Sequence, residues 1–277
     1  MEYAALFIWL SLCLVMGGLI YSMMAGALTH RPVMLLAAPG MVLRKFSMTL
    51  AALVCGGTVT RVRIYELSSR DIDFRADGTS SVAKVLVPLA PLFAGAAAVV
   101  MLNGMFGGPL NLSYEPPALT SLDSGGLRGF ILGTWSLLNN VVRQGLKSDW
   151  GNARLYVLFA LVFSLALGAC EPMERVRQAI LGAGLLAIGL ALLSTIAVRR
   201  AGVIAATPTW LQVTRAFVVR SSAVAFAMMV YGMFTALVVG FTVRIFELLS
   251  GGKKSPKASK GRGRSAALED DDIRQAA

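Results

Sequence analysis

The sequence predicts an all-α polytopic membrane protein, with about six transmembrane helices, a short β-hairpin after the second and an interfacial amphipathic helix between the third and fourth. Three observations carry this prediction. Of 277 residues, 56% are apolar and the mean hydropathy is +0.68, whereas a soluble domain is roughly 45 to 50% apolar. Apolar runs near 20 residues recur, the length a helix needs to cross hydrocarbon that offers backbone N–H and C=O groups no partners. The basic residues gather outside those runs, eight of the 26 Lys and Arg lying from Arg244 onward, as expected beside anionic lipid.

The six spans fall at about 4–28, 33–55, 85–105, 155–169, 176–198 and 217–248. The first lacks the basic n-region and cleavage site of a signal peptide, so it is expected to remain as an anchor. The second is broken by Pro39-Gly40 and carries Arg44-Lys45. After it, Thr58 to Leu67 alternates and is rich in Val, Thr and Ile, which predicts a strand, with Ser68 to Gly78 as a polar turn and return strand at the membrane surface. The third span holds Pro88, Pro91 and the small-residue run Ala94 to Ala98. Between the third and fourth, Leu127, Ile131, Trp135, Leu138 and Val142 share one helical face, with Asn139, Arg143 and Lys147 on another, the pattern of an interfacial helix. Trp135 and Trp150 suit the headgroup level. Only a turn containing Pro172 separates the fourth and fifth spans, which predicts an antiparallel hairpin. In the sixth, Gly232, Ala236 and Gly240 form a small-residue stripe suited to helix packing. The transmembrane domain therefore occupies 1–249. The tail, 250–277, is rich in Gly, Ser, Lys and Arg with an acidic run Glu269 to Asp272, and is expected to be disordered.

Six spans place both termini on one side. That side holds 15 of the 26 Lys and Arg, which predicts cytoplasmic termini in the inner (cytoplasmic) membrane of a bacterial or archaeal cell. The net charge of +11 comes with no nucleic-acid recognition motif, so no nucleic acid is expected as a partner. One histidine, His30, cannot build a two-histidine zinc site. Cys13, Cys55 and Cys170 sit in or beside separate apolar runs, which gives no disulfide framework. No P-loop, G-x-G-x-x-G, nucleophile elbow or triad is present, and no cofactor or small-molecule substrate is expected.

The anomaly is Arg44-Lys45. A cation at the middle of a membrane helix costs roughly 2.5 to 3.5 kcal/mol on insertion scales. Either the side chains snorkel to the headgroups, or one turns inward to a carboxylate. The acidic candidates at plausible depth are Glu171 and Glu174.

The stretch Ala38-Pro39-Gly40-Met41-Val42-Leu43-Arg44-Lys45-Phe46-Ser47-Met48, followed by Gly56-Gly57 and the strand from Val59 to Tyr65, resembles the zinc-binding helix of site-2-protease-like intramembrane metalloproteases. In that family His-Glu-x-x-His on a membrane helix binds zinc and activates water. The resemblance puts the first histidine at Arg44, the glutamate at Lys45 and the second histidine at Met48. It continues through Pro88-Leu-Ala-Pro91 and Asp149-Trp150 to Ala169-Cys170-Glu171-Pro172-Met173-Glu174, and it covers roughly residues 30–182. Relatives place an acidic third zinc ligand near that last proline, which Glu174 matches best.

The resemblance thus implies a degenerate member. Arg44 has no lone pair for a metal, Lys45 must lose a proton to act as a base, and Met48 offers only a soft thioether. It implies that a buried Arg44–Glu174 ion pair replaces the lost metal, a pair whose breaking costs about 3 to 5 kcal/mol. The functional expectation is a catalytically inactive scaffold or accessory subunit of a membrane complex, with the bilayer and other membrane subunits as partners. Two alternatives remain: a small transporter or channel component, whose intramembrane charges would line a pathway, and an active metalloprotease with a relocated or unusual metal site.

Overall fold

The computed structural model describes residues 2–56, 58–62, 72–75, 83, 85–110, 112, 114, 116–117, 119, 121, 123–201 and 209–249. Two compact units divide the chain, Met1–Gly240 and Phe241–Ala277. The tail expected beyond residue 249 lies outside the described residues.

Seven helices account for most of the described chain: α1 (Glu2–Met24), α2 (Arg31–Val54), α3 (Ala90–Met105), α4 (Ser124–Lys147), α5 (Ala153–Ala169), α6 (Met173–Ala201) and α7 (Thr209–Leu249). Two backbone stretches, β1 (Thr58–Val62) and β2 (Ile72–Arg75), pair antiparallel, with Val59 opposite Phe74 and Val62 opposite Ile72. The residues expected to join them, 63–71, lie outside the described residues, as does 76–82.

Local sequence explains where these helices start and stop. Pro32 stands in the first turn of α2, where its missing N–H costs nothing. The α2 helix ends before Gly56, whose φ of +76° is open to glycine at little cost. Asp123 caps α4, its carboxylate accepting the Gly126 N–H at 2.9 Å, and Asn152 caps α5 through the Arg154 N–H at 3.0 Å.

Among the described residues, five helical stretches are long and apolar enough to cross a membrane: Tyr3–Met24, Arg31–Val54, Val87–Met105, Arg175–Ile196 and Gln212–Phe246. The remaining expected span, the fourth at about 155–169, lies in Ala153–Ala169, an apolar helix of 17 residues. Large apolar side chains face outward, among them Leu35, Val42, Phe46 and Leu50 on α2 and Leu181 and Ile188 on α6. On α2 the charged and polar Arg44, Lys45 and Ser47 are buried instead. An apolar exterior over a partly polar interior fits an integral membrane protein.

The helices pack through close backbone approaches at small residues. A Cβ on Gly40 of α2 would fall on the Ser164 carbonyl of α5, and one on Gly168 would strike the Gly40 backbone. These two glycines let α2 and α5 touch main chain to main chain. The same contact binds the Gly40 N–H to Ser164 Oγ at 2.8 Å. Gly18 of α1 packs against Met173 and Val176 of α6, and Gly184 of α6 packs against Phe7 of α1. Gly232 of α7 lies against Ala166 and Ile20. Of the predicted stripe, then, Gly232 and the buried Ala236 face the interior, while Gly240 is in open space.

Two orientations differ from the sequence expectation. Along α2, Gly40 meets Ser164 and Gly168, and Arg44 reaches Gly168, Cys170 and Glu171 one turn later. Met48, a further turn on, packs on Val87, whose neighbours Val85 and Leu89 meet Gly182 of α6. Along α1 the same order recurs: Ala166 near Ile20, Val176 at Gly18, Gly184 at Phe7. The chain therefore advances in one direction through α5 and α6, and no antiparallel hairpin forms at Pro172. Proline forbids an unbroken helix there, but a broken helix satisfies it as well as a reversal does.

The second difference is α4, which runs beside α1 and α7 rather than across their ends. Phe130 meets Trp9 edge-on at 6.3 Å between ring centroids. Eleven residues on, the Val141 carbonyl accepts the Tyr231 hydroxyl at 3.0 Å, next to the Gly232 that touches Ile20. Trp9 to Ile20 is also eleven residues, roughly 16 Å in either helix, so α4 and α1 keep pace. An amphipathic pattern states which faces differ and leaves the tilt undetermined.

Candidate functional site: a buried ion pair at a helix break

The site lies where α5 ends and α6 begins, opposite the middle of α2. The α5 helix stops at Ala169, and Cys170, Glu171 and Pro172 carry the chain to Met173. Such a stop leaves terminal carbonyls without helical donors, and here Cys170 and Glu171 are buried.

Arg44 supplies the donors. Its side chain is 2% exposed, and Nη1 donates to the Gly168 carbonyl at 3.3 Å and to the Cys170 carbonyl. Nη2 stands 2.9 Å from Oε1 of Glu171, which is 1% exposed. That approach is an ion pair rather than an aligned hydrogen bond, since neither Glu171 oxygen completes a hydrogen bond among the described residues. Coulomb attraction does not require the alignment, and at this burial it is weakly screened.

The arrangement has an electrostatic logic beyond the pair itself. The guanidinium sits at the C-terminal, negative end of α5, and Glu171 sits two residues before the N-terminal, positive end of α6. Each charge meets the helix end that favours it, and each neutralises the other. Snorkelling of Arg44 to the headgroups is thereby replaced by an inward-facing fork.

The expected partner was Glu174. The structure brings Glu171 to Arg44, while the Glu174 side chain lies outside the described residues. Nη1 thus holds the carbonyls and Nη2 faces the carboxylate. Pro172 explains how Glu171 reaches Arg44, because Glu171 precedes it in the non-helical link between α5 and α6.

Lys45 is also buried, 4% exposed, and Ser47 Oγ donates to the Arg44 carbonyl at 2.9 Å. Met48 packs with Ala52 and Val87, with Ala51 and Val59 around them. The position that the resemblance gives to a second histidine is thus occupied by apolar packing. The zinc implied by the resemblance does not fit these residues: a guanidinium engaged with two carbonyls, an ammonium side chain and a packed thioether offer no hard ligand set. Among the described residues no group of three His, Cys, Asp or Glu could hold a metal ion.

Sequence reasoning missed Ser164, Gly168 and the Cys170 carbonyl. The signal for the glycine contact was present only as two isolated glycines, Gly40 and Gly168, 128 residues apart. In comparisons with known proteins, no family model, no curated protein and no solved structure matches the chain.

Proposed function

We propose that this chain is a non-catalytic membrane subunit, built on the plan of an intramembrane metalloprotease, in which Arg44 stands where the family keeps its first zinc-binding histidine. The observation that carries the reading is the Arg44–Glu171 pair at the break between α5 and α6. A fixed guanidinium neutralises the acid and caps the broken helix together, the two tasks a bound cation would otherwise share with water. Lys45 and Met48 complete the loss of the hydrolytic positions, so the residues support assembly rather than cleavage. In the same reading the paired strands after α2 form a hairpin at the membrane surface, and both termini face the cytoplasm.

A second reading, a transporter component, draws on one feature: discontinuous helices with charged groups at the break commonly form ion and substrate sites. Against it, the two charges here are spent on each other and on the terminal carbonyls of α5.

The test is a cleavage assay in proteoliposomes with soluble and membrane-spanning substrates, run beside native mass measurement of the complex isolated from its own membrane. The subunit reading expects no cleavage and a mass above the 29.4 kDa of one chain. Cleavage that disappears on Lys45→Met would overturn it.

A further inference from the structure

The surface of α4 divides into three lengthwise sectors. Phe130, Leu137, Val141 and Gly145 face the protein and are buried. Leu127, Ile131, Trp135, Val142 and Leu146 are exposed. Ser136, Asn139, Asn140 and Arg143 form a third sector, also exposed, and among the described residues none of these four side chains meets a partner within the chain.

A helix lying in the membrane surface would turn that third sector to water, but the contacts of α4 put it deeper. Asn139 and Asn140 lie between Phe130, which touches Trp9, and Val141, which touches Tyr231 beside Gly232 and Ile20. Trp9 and Ile20 are both inside the 22-residue span Tyr3–Met24, roughly 9 and 6 Å from its two ends. The carboxamides therefore lie at hydrocarbon depth, where lipid offers them no hydrogen bonds, and Arg143, two residues past Val141, lies nearer the Ile20 end of the span, roughly 3 Å inside it. Arg128 and Lys147, near the two ends of α4, can reach headgroups. Asn139 and Asn140 cannot.

We infer that the outward polar sector of α4 is a docking surface for a membrane helix of a different polypeptide, one that carries an Asp or Glu at the depth of Arg143. The Asn pair supplies both donors and acceptors across such an interface. The cation selects the partner: α4 contains no acidic residue, so in a two-fold dimer of this chain about the membrane normal Arg143 would oppose its own copy. A carboxylate on a second polypeptide satisfies the sector. The inference rests on the subunit reading and names the surface that reading requires.

The test places a photoreactive side chain at position Asn140 in the full chain, in native membranes, and identifies the adduct by peptide sequencing. The expected adduct joins position 140 to an apolar segment of another protein bearing Asp or Glu. Arg143→Glu should lower its yield by about tenfold or more, because like charges then meet across the interface. The folded monomer should survive that change, since Arg143 is exposed. Adducts to lipid alone, or to a second copy of this chain, would overturn the inference. So would full labelling of Asn140→Cys by a charged, water-soluble thiol reagent, which would mark a water-lined passage. A complex of normal mass whose adducts come only from other faces would sink the surface while sparing the subunit reading; a lone monomer in the native membrane would sink both.

Discussion

Breaking the buried pair from each side separately tests whether Arg44 is held by charge or only by shape. Glu171→Gln keeps the side-chain volume and leaves the guanidinium on the Gly168 and Cys170 carbonyls. Its cost should fall near the lower end of the 3 to 5 kcal/mol expected for one partner of a buried pair, about 3 kcal/mol. Arg44→Met removes the cation and also strips two carbonyls of their donor, at about 1 to 3 kcal/mol for each buried group left unsatisfied. The two losses together put Arg44→Met at about 5 kcal/mol or more. The double variant should cost less than the two together by about 2 kcal/mol, because the second change removes a group that the first has already stranded. Reversible unfolding in mixed micelles, followed by tryptophan emission, provides the assay. Lys147→Gln serves as a control and should stay within about 0.5 kcal/mol of the native chain. Strict additivity, or a Glu171→Gln variant as stable as the control, would refute the ion pair as drawn.

Gly40→Ala and Gly168→Ala each drive a methyl into the backbone of the facing helix, and should cost about 3 kcal/mol or more, beyond the usual penalty of overpacking. Gly104→Ala and Gly129→Ala, which have open space around the added methyl, should be neutral or slightly stabilising in the same unfolding assay. Ser164→Ala removes the acceptor for the Gly40 N–H and should cost about 1 to 2 kcal/mol, with faster deuterium exchange confined to the middle of α2. Asp123 at the head of α4 has its pKa held below the ordinary value by its hydrogen bonds from Ser121 and the Gly126 N–H. A lowered folded pKa means the cap stabilises above the unfolded value, about 3.9, and is lost as pH falls through the folded one. Protection of the amides at residues 124–128, taken relative to their intrinsic exchange rates, should therefore fall on acidification from pH 5 to 3 and should stay constant in Asp123→Asn, which keeps an acceptor without a titratable charge.

The spans were legible because apolar runs of fixed length have few other uses, and Arg44 was legible because a cation among them demands compensation. Depth narrowed the compensating acid to Glu171 or Glu174. That Glu171 reaches Arg44 depends on which residues Pro172 leaves outside the helix, and that depends on whether the chain reverses or continues. Direction is absent from hydrophobic periodicity: α5 and α6 read alike as a hairpin or as one interrupted crossing. The same gap leaves open in the sequence that α4 touches both α1 and α7, through Phe130 and Val141. Ala153–Ala169 reads as a span from its composition, and its 17 residues are followed by α6 along the same path. The Gly40–Gly168 contact was illegible for another reason. A glycine announces that something comes close, and only the fold says what.

The most direct test of the central claim is the metal content of the native protein, purified from its own membrane without chelators, beside the variant Arg44→His/Lys45→Glu/Met48→His. With Arg44 holding Glu171 and the α5 carbonyls, the native chain should carry zinc far below one ion per chain, and the variant should carry more. One tightly held ion per native chain, lost together with Glu171→Gln, would contradict the account.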